Sequence, residues 1–366
     1  MVTAGMDEKW QCVFANDIDE RKCATYRQNW GDDVLTCGDI RDIDLDSLRQ
    51  PIDLYWASSP CQDFSLAGKG AGLSGARSGV FTSWIEQISR VSKSGHAPRL
   101  IAFENVNGLM SRNQGRDFSI VLNAFVTLGY RVGALSLDAR DFLPQSRQRL
   151  FVVALRMDCT PPRGSFSGVA RERIHSPLIR TYLDTAPRAV RENWIWWSLP
   201  EVEMPVPDIA TIMDRGTNAK WLTETDTRHL LSLVPDTGLQ KIERASACGE
   251  RRYLTVYKRG RPTPDGSTRQ RAEIRDDGIA GCLRTPGGGS SRQTVLEIEG
   301  SSIRARLISP RETARLMGLP DTYILPEKPN DAYRLTGDGV AVPIVAFLRQ
   351  ALFEPLLAQG RLRDVA

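Results

Sequence analysis

Two side chains in this chain of 366 residues have the type and the neighbourhood for covalent chemistry. Ser59-Pro60-Cys61-Gln62-Asp63-Phe64-Ser65 follows the apolar run Ile52 to Ala57. That order places Cys61 just past the carboxyl end of a strand, where open α/β sheets carry their sites. A thiol there is a candidate nucleophile, although an isolated cysteine is as readily a small buried hydrophobe. The loop behind it, Gly68 to Gly72 and on to Arg77-Ser78-Gly79, is too rich in glycine and polar residues to pack a core, and it reads as a lid. Phe103-Glu104-Asn105-Val106 ends the next apolar run, so a carboxyl shares the sheet edge with the thiol. A glutamate alone is usually a solvated loop residue; beside a thiol it becomes a candidate acid for the same substrate.

The elements that must hold these groups show in the periodicity. β-like runs at Cys12 to Ala15, Val34 to Cys37, Ile52 to Ala57, Leu100 to Phe103, Tyr130 to Leu137 and Arg149 to Arg156 alternate with helical stretches. The helices run from Asp19 to Trp30, Val80 to Ser94 and Phe118 to Leu128, each closed by a glycine. Alternation of this kind predicts an open α/β, parallel sheet with crossover helices over residues 1–156. From 157 to 303 it stops, leaving an irregular region with short strands such as Tyr253 to Tyr257. Between Lys241 and Arg284 stand 11 basic residues against 6 acidic ones, a larger local excess than the +4 of the whole chain. Such a stretch suits a solvated surface and a polyanion-binding face about equally. Ser309-Pro310-Arg311-Glu312 announces a capped helix. A further apolar helix follows Pro343, and residues 304–366 are read as helices returning to the first domain.

Composition excludes several classes. With 41% hydrophobic residues and near-balanced charge the chain is neither disordered nor histone-like. Seven cysteines without a close Cys-x-x-Cys pair, and only three histidines, argue against a disulfide framework and a zinc site. No uninterrupted apolar run approaches a membrane span, and the start lacks a signal peptide's pattern. The expectation is a cytoplasmic protein with no metal and no membrane.

Pro60-Cys61-Gln62-Asp63-Phe64-Ser65, Glu104-Asn105-Val106 and Gln145-Ser146-Arg147-Gln148-Arg149 stand in the order of the motifs of DNA (cytosine-5) methyltransferases, and the chain resembles that family. Asn16-Asp17-Ile18-Asp19, Gly38-Asp39-Ile40, Arg306 to Glu312 and Gly337 to Pro343 extend the resemblance over nearly the whole chain. It implies a Rossmann-like S-adenosylmethionine-dependent methyltransferase sheet with a second, smaller, irregular target-recognition domain. Cys61 would be the nucleophile, Glu104 the acid, and Arg149, with Arg147 more loosely, would hold the base and its phosphate. Asp17, Ile18, Asp39, Ile40, Pro60, Val80, Gly337, Asp338, Gly339 and Val340 would bind the cofactor. An acid at 338 departs from the family's usual Asn. Gln62, Ser65, Arg77, Arg259, Arg261 and Arg284 would contact DNA.

The implied partner is double-stranded DNA, with a cognate restriction endonuclease as companion, and the chain is read as a monomer. A transfer-RNA cytosine methyltransferase is a rival reading that the basic recognition region argues against. A DNA-binding subunit without catalysis is another, which Cys61, Glu104 and Arg149 argue against. The family opens with a strand and a glycine loop that wraps the cofactor, whereas this sequence starts at Met1-Val2-Thr3-Ala4-Gly5, about where the next helix belongs. The expectation is a start assigned one strand late and a sheet lacking its central strand.

Overall fold

The computed structural model describes residues 1–45, 48, 51–58, 79–203, 205–214, 219–262, 267–287 and 292–361. In the first half, β1 (Ala15–Asp17) and β2 (Leu35–Cys37) pair in parallel, with Asp17 opposite Cys37. β3 (Leu54–Ser58) and β4 (Leu100–Asn105) also pair in parallel and set Ser58 opposite Glu104. β5 (Tyr130–Asp138) and β6 (Gln148–Arg156) complete the order β3-β4-β6-β5.

The sheet is not parallel throughout: β6 runs antiparallel to both β4 and β5. The cause is the short connection. Only residues 139–147 join β5 to β6, and a parallel return needs a dozen or more residues, usually a helix. The strand read at Cys12 to Ala15 lies further along, so that it ends on Asp17 itself. Among the described residues nothing pairs β1 with β3. The sheet therefore stands in two pieces on either side of one cleft.

Caps place the helices where the periodicity put them. Asp19 accepts from the Arg21 amide at 2.9 Å at the start of Glu20–Trp30, and Gly31, with φ 82°, ends it. In Gly79–Lys93 the residues Phe81, Trp84, Ile88 and Val91 recur at helical spacing and are all buried. Together with Phe118, Leu122 and Phe125 of Arg116–Thr127 they cover Ile101 and Phe103 on one face of β4. Leu100 and Ala102, which point the other way, meet Ile344, Val345, Leu348 and Phe353 near the carboxyl end. β4 is thus buried on both faces, as a central strand should be. The stretch 329–358 is long and apolar enough to pass for a membrane span by composition. Residues 339–341 break it, and its apolar side chains are core.

The second half is more regular than its sequence promised. Residues 157–199 return to the first core, with Ile179, Ala186 and Val190 packed beside Phe118 and the short strands β7 (Phe166–Ser167) and β8 (Trp196–Trp197) paired. Beyond them lies an antiparallel sheet of β9 (Arg252–Pro262), β10 (Thr268–Arg275), β11 (Thr294–Glu299) and β12 (Ser302–Leu307), in the order β10-β9-β11-β12. It runs on past residue 303 to Leu307. Helices Glu224–Ser232 and Asp236–Ala247 cover one face through Leu230, Ile242 and Ala245 against Leu254, Val256 and Ala272. The outer half of β10 is exposed and polar, which is why no alternation betrays it.

The two halves join at the helix Pro310–Leu316. Ser309 and Glu312 form the expected capping box. Glu312 also takes both arms of Arg306, at 2.6 and 2.7 Å, with the two side chains 0% and 2% exposed. Removing one partner leaves a buried, unpaired charge. Arg306→Met should therefore cost about 3–5 kcal/mol in urea unfolding, and adding Glu312→Leu should recover part of the loss. A single variant no less stable than the double one would show that the pair is not the joint.

Candidate active site

One cleft of about 2620 Å³ receives the ends of β1, β2, β3 and β4, together with residues 282–285 and 337–340. Glu104, Arg149, Asp17, Ile18, Asp39, Ile40, Val80, Arg284, Gly337, Asp338, Gly339 and Val340 all line it. Cys61, Pro60, Gln62, Ser65 and Arg77 lie outside the described residues, as does the lid loop up to Ser78.

At the centre, Glu104 is buried and Arg149 Nε lies 3.2 Å from its Oε1. The strand register makes the contact: Asn105 pairs with Leu150, which brings the ends of β4 and β6 together. Burial pushes the Glu104 carboxyl up from its ordinary value. The Arg149 and Arg147 guanidiniums and a hydrogen bond from Ser58 pull it back without cancelling the burial. A carboxyl in that balance is equipped to carry and deliver a proton. Ser58 escaped the sequence reading, because only the register of β3 against β4 reveals it.

Arg147 takes a different place from Arg149. Its guanidinium is buried, with Nη1 donating to Leu283 O at 3.1 Å and Nη2 donating to Gly337 O at 2.9 Å and Gly339 O at 2.6 Å. Those hydrogen bonds tie three remote segments together and leave Arg149 as the arginine beside Glu104. Gly337 is tight for a related reason. A Cβ there would sit 2.5 Å from Arg284 C and 2.6 Å from Thr285 N, so the backbone of the second half rests on this glycine.

The opposite wall is acidic. Asp17 caps the turn after β1 by accepting from the Asp19 amide at 2.9 Å. Ile18 beside it is 69% exposed, an apolar side chain presented to the cleft. Asp39 is held by Arg41 through its amide at 2.9 Å and Nε at 3.0 Å. Lys22, which the sequence did not single out, bridges this wall to the carboxyl-terminal segment. Its Nζ lies 3.0 Å from Asp338 and 4.0 Å from Asp17. An acid at 338 therefore has a lysine partner here.

A family model described as C-5 cytosine-specific DNA methylase matches residues 2–354. Type II methyltransferase M.HpaII of Haemophilus parainfluenzae is 28% identical over 361 residues, 97% of this chain and 85% of that protein. Type II methyltransferase M.HhaI of Haemophilus parahaemolyticus is 26% identical over 340 residues, 92% and 86% of the two chains. In fold, the solved S. pombe Dnmt2 methyltransferase superposes with a TM-score of 0.57 at 18% identity, over 94% of this chain and 91% of that one.

The Glu104 environment is directly measurable. Infrared difference titration should show one carboxyl still protonated above the ordinary glutamate range, and Glu104→Gln should remove it. Arg149→Met should move the titration further upward, because the nearest lowering charge is gone. A carboxyl that titrates normally, or one indifferent to Arg149, would contradict this geometry.

Proposed function

The chain belongs to the C-5 cytosine-specific DNA methylase family, and on that premise we propose that Cys61, Glu104 and Arg149 carry the reaction in this cleft. The protein transfers a methyl group from S-adenosylmethionine to carbon 5 of cytosine in DNA. What carries the residue assignment is the buried Glu104 opposite the end of the strand that leads to Cys61.

The acidic wall fits the cofactor. Asp17 at the end of β1 can take ribose hydroxyls, the exposed Ile18 can lie against adenine, and Asp39 with Ile40 can border the ring. Val80 and Pro60 would line the donor's path, and Gly337, Asp338, Gly339 and Val340 the methionine end. When bound, S-adenosylmethionine supplies an electrophilic sulfonium methyl.

Cys61 follows Ser58 by three residues, a reach of at most about 10 Å. As a thiolate it adds to carbon 6 of the base. Protonated Glu104 donates to ring nitrogen 3 and so neutralises the charge that addition places on the ring. Carbon 5 is now nucleophilic and takes the methyl group. The proton at carbon 5 would pass to solvent as Cys61 leaves, and ring nitrogen 3 would return its proton to Glu104, which restores the aromatic ring, the thiolate and the acid. Arg149 holds the Glu104 carboxyl, while Arg147 acts as a positioning residue through the carbonyls it binds. A base within a duplex is out of reach, so it must be flipped into the cleft. Gln62 to Gly79 would close behind it, with Ser65 and Arg77 on the phosphates.

The DNA would lie along the hairpin β9–β10. In register, Arg271 faces Arg259 and Arg269 faces Arg261, which puts four arginines on one face with Tyr257 at its base and Glu273 as the carboxylate among them. The other face carries Ala272 into the core, so the arginines point away from the covering helices. Tyr257 OH donates to Cys282 O at 3.2 Å, next to Arg284 at the cleft wall. The recognition unit is then best drawn around the antiparallel sheet, residues 219–307, which begins inside the expected 157–303 region and runs four residues past its end. We take the protein to act as a cytoplasmic monomer that modifies a specific duplex sequence for a cognate restriction endonuclease.

Duplex DNA with 5-fluorocytosine at the target should trap a covalent complex at Cys61, since fluorine cannot leave as a cation. Cys61→Ser should give no adduct while still binding duplex, and Glu104→Gln should slow methylation by roughly 100-fold or more. Methylation of ordinary DNA without trapping would overturn the addition step.

For the hairpin, Arg269→Ala with Arg271→Ala should weaken binding to all duplex sequences alike. It should also flatten the plot of log affinity against log salt by about 0.9 for each phosphate that the protein no longer neutralises. An unchanged slope would move the DNA elsewhere.

A further inference from the structure

We propose that Glu20, Cys23 and Cys37 form a binding site for a thiophilic divalent cation of the zinc and cadmium class. Their donor atoms all lie within 4.8 Å of one another, and among the described residues this is the only trio of such side chains gathered so closely. The sequence conceals it, because the cysteines are fourteen positions apart and no Cys-x-x-Cys spacing marks them.

Three elements assemble the group. Glu20 and Cys23 stand one turn apart on the helix Glu20–Trp30, and Cys37 ends β2 where that strand pairs with Asp17 of β1. Cys37 Sγ donates to Glu20 Oε2 at 2.9 Å, and Cys23 Sγ donates to the Asp17 carbonyl at 3.3 Å. Arg27 takes the other carboxylate oxygen, Oε1, at 2.6 Å, which leaves Oε2 turned toward the thiols. Cys23 is fully buried whereas Glu20 is exposed, so a cation has an entrance and water can fill a fourth position.

The dimensions and charges suit such an ion. Tetrahedral zinc bonds sulfur at about 2.3 Å and carboxylate oxygen at about 2.0–2.2 Å, which separates ligand atoms by roughly 3.3–3.8 Å. Donors that start within 4.8 Å need shifts of about 1 Å. Two thiolates and a carboxylate against a divalent cation leave one negative charge, and Arg27 is already in place to offset it. Binding releases the two thiol protons to solvent. The bound ion would pin the ends of β1 and β2, which carry Asp17 and lead to Asp39 on the cleft wall. Cation and S-adenosylmethionine should accordingly raise each other's affinity.

The test is a cadmium chloride titration of the full chain under a non-thiol reductant, followed by the ultraviolet thiolate-to-cadmium absorption. Expected is one equivalent of tight uptake with release of about two protons. Cys37→Ser should lose that equivalent, Glu20→Gln should weaken it at least 10-fold, and the exposed Cys248→Ser should keep it. Zinc chloride should raise the thermal midpoint of the wild type and not of Cys37→Ser. Cys37 and Glu20 reach the surface, so these variants remain informative even if Cys23→Ser fails to fold. Absence of the stoichiometric band, or its survival in Cys37→Ser, would overturn the site.

Discussion

The guanidinium of Arg147 is the group on which the rest of the molecule turns. It projects from the connection between β5 and β6 and binds carbonyls at Leu283, Gly337 and Gly339, thus locking the first sheet, the second half and the last helices around one point. Burial pulls its own pKa down to about 10, yet leaves it charged at neutral pH. The rigid guanidinium fork holds its donors on two separate nitrogens aimed at separate segments, whereas a lysine concentrates its donors on one compact ammonium. Gln145 reinforces the junction, donating to Leu316 O at 2.5 Å and accepting from the Leu283 amide at 3.3 Å. The Ser146 amide adds a bond to Ala280 O at 2.8 Å. The motif Gln145 to Arg149 is therefore mostly a staple, and its last residue alone meets Glu104.

That division of labour was not legible in the sequence. Arg147 and Arg149 stand two positions apart in one motif, and the carbonyls that claim Arg147 come from residues far along the chain. The helices Glu20–Trp30, Gly79–Lys93 and Arg116–Thr127 were legible, because each carries its own cap or glycine stop and its own apolar stripe. So were the strands from Leu35–Cys37 to Gln148–Arg156, whereas β1 falls at Ala15–Asp17, beyond the apolar run that suggested it. The reversal of β6 was missed because strand direction depends on the length of a connection that looked like any other. The four-stranded antiparallel sheet is hidden in the sequence because β9 and β10 continue beyond their covering helices, where a hairpin exposed on both faces needs no apolar alternation. At the cleft, Glu104, Asp17 and Asp39 could be read from motif order. Ser58 and Lys22 could not, since each acquires its role from a partner on another element.

Charge distinguishes two surfaces of the molecule. The wall that ends β1 and β2 carries Asp17, Asp19 and Asp39 and faces Asp338, with Arg21 paired to Asp19 and Arg41 to Asp39. The hairpin face carries Arg259, Arg261, Arg269 and Arg271, a setting for a polyanion. Lys22 moderates the acidic wall by standing between Asp17 and Asp338. Glu273 ion-pairs with Arg259 and Arg261 and so fixes part of the basic face in place.

The protonation of Glu104 follows from a contest between burial and Arg149. In the described structure burial already prevails, and the carboxyl is raised despite the guanidinium 3.2 Å away. The Glu104 side chain is only 7% exposed against 12% for Arg149, so the fold itself has already removed nearly all the water that would favour the ionised form. A carboxyl at the rim of the cleft, open to water, would keep its ordinary value. Burial of β4 on both faces, which first looks like a matter of packing, is what gives the last residues of that strand their chemistry.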